Sequence, residues 1–169
     1  PARIRMAYSL LFSLPGTPVL FYGEEIGMGE NLDEPGRHAV RTPMQWSDEP
    51  GAGFSEAAAR RFPSRVTGGE YGPLAINVAA QRRDPGSLLN WFERLIRRRR
   101  ETPELGWGAF TSLSPREPEV LAHRCDWDDS AVVAVHNLAG HEVTTRLPLE
   151  GDATLVDLLG TADLAAPYE

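Results

Sequence analysis

"TPVLFYGEEIG", Thr17 to Gly27, contains the run on which the fold turns. Within it, Val19 to Tyr22 is short, apolar and uninterrupted, with Pro18 before it and Gly23 after it. Such a run suits a strand buried on both faces, as in a parallel sheet covered by helices. Immediately upstream, Ile4, Ala7, Tyr8, Leu11 and Phe12 recur at helical spacing, and Leu10 and Leu14 widen the apolar face. Pro15-Gly16 stops that helix. A buried parallel strand needs parallel neighbours, and the chain offers no second run of the same texture upstream. Either residues outside this sequence complete the sheet, or Val19–Tyr22 is not a strand.

Downstream of the run the texture changes. From about Gly27 to Arg83 Gly and Pro are frequent, charges are mixed and no period persists, which describes a long functional or disordered loop. A second helix is then clear. Asp84-Pro85-Gly86-Ser87 starts it, Leu88, Leu89, Phe92, Leu95 and Ile96 form its apolar face, Arg97–Arg100 fill its last turn, and Pro103 lies just beyond. After Leu105 the period becomes two. "AFTSL", "EVLAHR", "AVVAVHN", "EVTTRLPL" and "ATLVDLL" are short β-rich runs, split by turns such as Asp128-Asp129-Ser130 and Gly140. They predict an antiparallel sheet or sandwich, with a domain boundary between Pro103 and Gly108.

Composition narrows the function classes. The chain is 41% hydrophobic and 24% charged, with a net charge of −7, which argues against a general nucleic-acid partner. Every basic residue among the 17 is arginine, a coding-bias signature of a GC-rich bacterial genome rather than chemistry. A single cysteine, Cys125, excludes an internal disulfide. No apolar run is long enough to span a membrane. No signal peptide is visible and a cytoplasmic location is expected. The chain begins at Pro1, inside a helical pattern, so a fragment of a longer protein is expected.

In order along the chain, "SLLFSLPGTPVLFYGEEIGM", "RTPMQWS", "AGFS", "SLLNWFERLIRRRR" and "VVAVHNLAG" resemble the C-terminal part of glycoside hydrolase family 13, the α-amylase family. "RTPMQW" resembles the branch of trehalose synthases, oligo-1,6-glucosidases and other α-glucosidases. "GMGENLDEPGRHAVRTPMQWS" leans towards the trehalose synthases. The resemblance implies an α/β plus all-β architecture: the last helix-strand-helix portion of a (β/α)₈ TIM barrel, then a C-terminal antiparallel β-sandwich. Ala2–Leu14 becomes the seventh barrel helix, Val19–Tyr22 the eighth strand and Ser87–Arg100 the eighth helix. Residues 1–104 belong to the barrel and 105–169 to the β-domain, which lacks its last strand. Seven strands lie upstream, and that missing N-terminal barrel portion is the expected protein partner.

The family is implied to work by a retaining mechanism, in which two carboxyl groups about 5–5.5 Å apart act as nucleophile and acid/base. Its catalytic carboxylates lie on the fourth, fifth and seventh strands, and none of those motifs occurs here. No catalytic residue is therefore expected in this chain, nor any metal site or cofactor. The adjacent Glu24 and Glu25 would point to opposite faces of a continuing strand and so could not share one glycosidic bond. What remains is substrate positioning in the intact protein, on an α-linked glucose oligosaccharide such as maltose or trehalose. The alternatives are a hydrolytic α-glucosidase or oligo-1,6-glucosidase, and a non-catalytic glucan-binding or stabilising β-module.

Arg41 matches an arginine beside the active-site entrance of relatives, where a planar fork can hold sugar hydroxyls; its other reading is a salt bridge that pins the loop. Arg37 and Asp33 share the loop, and are either sugar contacts or solvated surface. Gln45 and Trp46 could line the site, with Trp46 more suited to packing the loop. Glu24 and Glu25 either face the pocket or cap the next turn. "RRRR" is expected to be a solvated helix end. "HRCDWDD" suits a strand running into a turn better than a metal site. His38 and His136 are isolated, and His136 sits structurally in an apolar strand.

Overall fold

The computed structural model describes residues 2–56, 66, 68–149 and 155–159. It divides into two units, split after Pro18 and again after Glu93.

The first unit takes residues 2–18 and the described residues from Arg94 onward. Helix α1 runs Ala2–Ser13. Helix α3, Leu88–Glu101, enters this unit from Arg94, and a five-residue helix α4, Pro103–Trp107, follows. Pro103 does not merely follow α3: it occupies the first turn of α4, where a missing N–H costs nothing. Strands β1 (Ala109–Leu113), β2 (Val120–Trp127) and β3 (Ser130–Asn137) form an antiparallel sheet in the order β1-β2-β3. Its registers pair Phe110 with Cys125, and Ala122 with Val135. The two-residue connection between β2 and β3 requires positive φ, which Asp128 adopts at 50°.

The end of α1 is held by side chains distant in sequence. A helix terminus leaves carbonyls without intrahelical partners. Arg99 donates to the carbonyls of Phe12, Leu14 (3.3 Å) and Gly16 (2.7 Å), and His123 Nε2 bonds the Ser13 carbonyl at 3.0 Å. The arginine run is thus not a purely solvated helix end. Arg98 also reaches away from it, donating to the Leu158 carbonyl at 2.9 Å and pairing with Glu101.

The second unit takes the described residues from Val19 to Glu93. Its core is Ile26, Met44 and Val78, with Met28, Ile76 and Leu89 packed against them. Helix α2, Val78–Arg82, lies in the stretch where no period was expected. Five residues barely exceed one turn and cannot display a period. The legible signal was the cap, since Asn77 Oδ1 accepts the Ala80 N–H at 2.7 Å.

Two expected strands are absent among the described residues, and a third expected strand lies partly outside them. Val19–Tyr22 joins no ladder, and Val19 is 80% exposed. A strand exists only through a neighbour's hydrogen bonds, and this run has none. Residues 142–149 also form no strand. After β3 the Asn137 side chain accepts the Ala139 N–H and donates to the His141 carbonyl, turning the backbone out of the ladder. Thr145 then donates to Glu117 at 2.5 Å, a side-chain tie in place of strand pairing. Of "ATLVDLL", residues 153–154 lie outside the described residues and 155–159 form no strand. The described β-structure is therefore one three-stranded sheet.

Candidate functional site

The five sugar-facing candidates all fall in the second unit, on the segment from Glu24 to Arg41. Glu24–Ile26 forms a 3₁₀ turn, not a continuing strand, so the two glutamates do not alternate across a sheet. Gly23 enters this turn at φ 93°, a left-handed conformation open to glycine, and its carbonyl accepts the Met28 N–H at 2.8 Å. Both carboxylates are engaged by backbone. Glu24 Oε2 accepts the Phe21 N–H at 3.0 Å, and Glu25 Oε2 accepts the Gly23 N–H at 2.7 Å. The turn-capping reading of the pair is the one this geometry matches. Each carboxylate keeps its second oxygen outside these bonds.

The segment 31–41 is closed by its own backbone. Asn31 donates to the Ala39 carbonyl at 2.9 Å, and Gly36–His38 forms a second 3₁₀ turn. Asp33 and Arg37 are exposed on it.

"RTPMQW" resolves into an inward set and an outward set. Thr42, Met44 and Gln45 are buried. Gln45, 3% exposed, donates from Nε2 to the carbonyls of Tyr71 (3.1 Å) and Ile76 (2.6 Å), and its own carbonyl accepts the Val78 N–H at 3.0 Å. Two bonds from the buried side-chain amide and one to the backbone carbonyl fix the loop, because leaving any one unmade would cost the desolvation of the group. Tyr22 donates its hydroxyl to the Thr42 carbonyl at 2.9 Å, tying the motif to the segment before Gly23. Gln45 is therefore a strut and does not line an open site. Trp46 is 47% exposed, with its backbone held by Ala52 and Ala79. Ala52 adopts φ 56°, uncommon for a residue with a Cβ, and its carbonyl accepts the N–H groups of both Trp46 and Ser47.

Arg41 points out of this frame. It is exposed, and its guanidinium makes no ion pair or hydrogen bond among the described residues. The same holds for Arg37 and for the Asp33 carboxylate. The salt bridge that would have pinned Arg41 is not present among the described residues.

Two residues that organise this unit were not singled out by sequence reading. Gln81 donates to the Ile26 carbonyl at 2.7 Å, and its side-chain oxygen accepts the Leu89 N–H at 3.0 Å, joining the 3₁₀ turn to the start of α3. Asn90 donates to the carbonyls of Gln81 (2.9 Å) and Asp84 (2.7 Å). Gln81 carries no motif signal; Asn90, polar on the first turn of a helix, was the available hint. Among the described residues no group of three or more His, Cys, Asp or Glu could hold a metal ion, and no helix is long and apolar enough to cross a membrane.

Comparison with known proteins places these features. Residues 1–108 match the model of the alpha-amylase catalytic domain. The chain is similar to a trehalose synthase of Pimelobacter sp. (strain R48), 39% identical over 99% of this chain and 30% of that protein. It is also similar to the trehalose synthase/amylase TreS of Mycobacterium tuberculosis, 40% identical over 94% of this chain and 27% of that protein. Among solved structures, it resembles the trehalulose synthase MutB from Pseudomonas mesoacidophila MX-45, with a TM-score of 0.66 at 24% identity, covering 81% of this chain and 30% of that one. That likeness carries the fold, which is TIM-barrel-related. The chain spans about 30% of the length of the curated relatives it matches.

Proposed function

Because the chain belongs to the alpha-amylase family, we propose that it is the closing portion of a retaining enzyme that interconverts maltose and trehalose by glucosyl transfer. The nucleophile and acid/base are supplied by barrel residues outside this sequence, and residues 1–104 complete that barrel. Residues 105–169 form the β-domain that follows it in sequence, built as a sandwich once its remaining strands are in place. Val19–Tyr22, which pairs with nothing among the described residues, becomes the eighth strand only when the rest of the barrel supplies its neighbours, which would cover its exposed side chains. The 169 residues alone turn over no sugar. The protein works in the cytoplasm.

The observation that carries this reading is the state of Arg41. A buried frame of Thr42, Met44 and Gln45 holds the motif rigid. The guanidinium it presents is left without a partner among the described residues. A side chain so placed suits an external ligand, and a planar five-donor fork suits sugar hydroxyls. Arg37 and Asp33 contribute further polar contacts. Glu24 and Glu25 shape the floor of the site and offer it their second oxygens. Retaining transfer to a sugar rather than to water depends on excluding water while the departing glucose is held. Arg41 supports that step by holding the sugar.

A second reading, a hydrolytic α-glucosidase, is favoured by one observation: the Mycobacterium tuberculosis relative is named both trehalose synthase and amylase. Product analysis separates the two. The intact protein, incubated with maltose, is expected to yield trehalose in excess of free glucose, and the reverse from trehalose. Release of glucose alone from both disaccharides would replace the isomerase reading with the hydrolase.

A further inference from the structure

We infer that His123 and His136 form a proton-sensitive latch that fastens α1 to the β2–β3 ribbon. Both histidines lie in the first unit, on adjacent strands, and are 1% and 4% exposed. His123 Nε2 meets the Ser13 carbonyl at 3.0 Å, and His136 Nε2 meets the Ser9 hydroxyl at 3.2 Å. Ser9 and Ser13 are one turn apart on α1, so the two rings grip one stripe of that helix. The rings lie 6.1 Å apart at an interplanar angle of 12°, stacked on each other.

The geometry at His136 favours a neutral ring. A carbonyl can only accept, so His123 donates to Ser13 from Nε2. The Nδ1 atoms of both rings are buried with no partner among the described residues. Protonating His136 puts an N–H on both ring nitrogens, and the one on Nδ1 lies inside the protein with nothing among the described residues to accept it. The ionisable groups that line the cavity beside His136 are Arg98, Arg99 and Glu101 on α3, Glu104 on α4, and Asp157, and Arg5 lies one turn before Ser9 on α1. The Glu101, Glu104 and Asp157 carboxylates are not hydrogen-bonded to the His136 ring, so none is in place to welcome an imidazolium. Burial accordingly holds the His136 imidazole below its usual range; Ser9 pulls the other way, and His123 adds to the lowering.

The sign follows from linkage. An unfolded or released histidine titrates near its ordinary pKa of about 6.5, above the folded value of His136. The released state therefore binds more protons, and stability is full above about pH 6.5 and is lost as pH falls from there through the folded value. Because the bonds run to α1, acid frees that helix first. The β2–β3 ladder retains its own backbone bonds.

Hydrogen exchange on the intact protein tests this, read separately for residues 2–14 and for β2–β3 between about pH 7.5 and pH 5 and corrected for intrinsic rate. Protection of α1 is expected to fall by up to about tenfold per pH unit below about 6.5 while the β2–β3 amides hold. His136→Gln, which can bond Ser9 but cannot gain a proton, is expected to flatten that course, and His38→Gln is expected to leave it unchanged. Equal pH dependence of α1 and β2–β3, or no dependence, overturns the latch. So does a His136→Gln protein that follows the wild-type course. If His136→Gln does not fold, the wild-type comparison of the two segments still decides.

Discussion

Arg99 on α3 donates to the carbonyl of Gly16, 83 positions earlier, at 2.7 Å. The same guanidinium serves Phe12 and Leu14, so one side chain closes three carbonyls at the end of α1. Its partial burial disfavours the charge, with Cys125 pulling the other way, and the three bonds offset that cost. Arg99→Ala is expected to destabilise the protein by about 2–3 kcal/mol, the range for losing hydrogen bonds to a charged group. Arg99→Lys is expected to recover little, because an ammonium cannot reproduce the fork. Thermal unfolding of both variants checks this, and full rescue by lysine would contradict it.

Gln45 and Arg41 sit four residues apart in one motif with opposite roles. Gln45→Ala leaves the Tyr71 and Ile76 carbonyls without their donor and is expected to cost about 1–3 kcal/mol. Gln45→Glu is expected to be at least as damaging, since a carboxylate brings acceptors to acceptors. Denaturant midpoints measure both, and an unchanged midpoint in Gln45→Ala would remove the strut.

Cys125 is buried at 2% exposure, opposite Phe110 in the sheet. Burial pushes its thiol up, against a lowering by Arg99 and with a smaller rise from Asp126. Less thiolate and no access both slow alkylation. A thiol reagent near neutral pH is expected to label the native protein about a hundredfold more slowly than the denatured one. Equal labelling rates would place Cys125 at the surface.

Glu25 tests the capping geometry. Glu25→Gln retains an oxygen for the Gly23 N–H, whereas Glu25→Ala does not. The expected result is a near-native melting curve for Gln and a loss of about 1 kcal/mol for Ala. Equal loss in both would mean that the charge, not the bond, holds the turn.

The helices were the most legible part of the chain. Apolar spacing and stop signals marked both helices, because a stripe of this kind is local information, and the family resemblance gave them the bounds Ala2–Leu14 and Ser87–Arg100, each within a residue of the observed ends of α1 and α3. Three of the five β-rich runs became strands. Of the other two, residues 142–149 failed because Asn137 turns the chain aside, and "ATLVDLL" lies partly outside the described residues; Val19–Tyr22, read separately as a buried strand, has no pairing neighbour among the described residues, since pairing depends on a neighbour that a run does not encode. The candidate loop was legible as unusual, and Arg41 stands exposed on it with no side-chain partner among the described residues. Which motif residues are struts was not legible, since Gln45 is as polar as a ligand-binding residue and only its distant partners Tyr71 and Ile76 give its role.

The most direct measurement is Arg41→Ala in the intact protein with maltose as substrate, following melting temperature, trehalose and free glucose together. Arg41 is exposed with no partner among the described residues, so its removal is expected to change stability by no more than about 0.5 kcal/mol. Losing a group that holds the departing sugar is expected to lower isomerisation by up to about a hundredfold and to raise the share of glucose. A stable variant with a shifted product ratio is the predicted result. A melting temperature that collapses while the surviving enzyme keeps its wild-type ratio of trehalose to glucose would contradict the account.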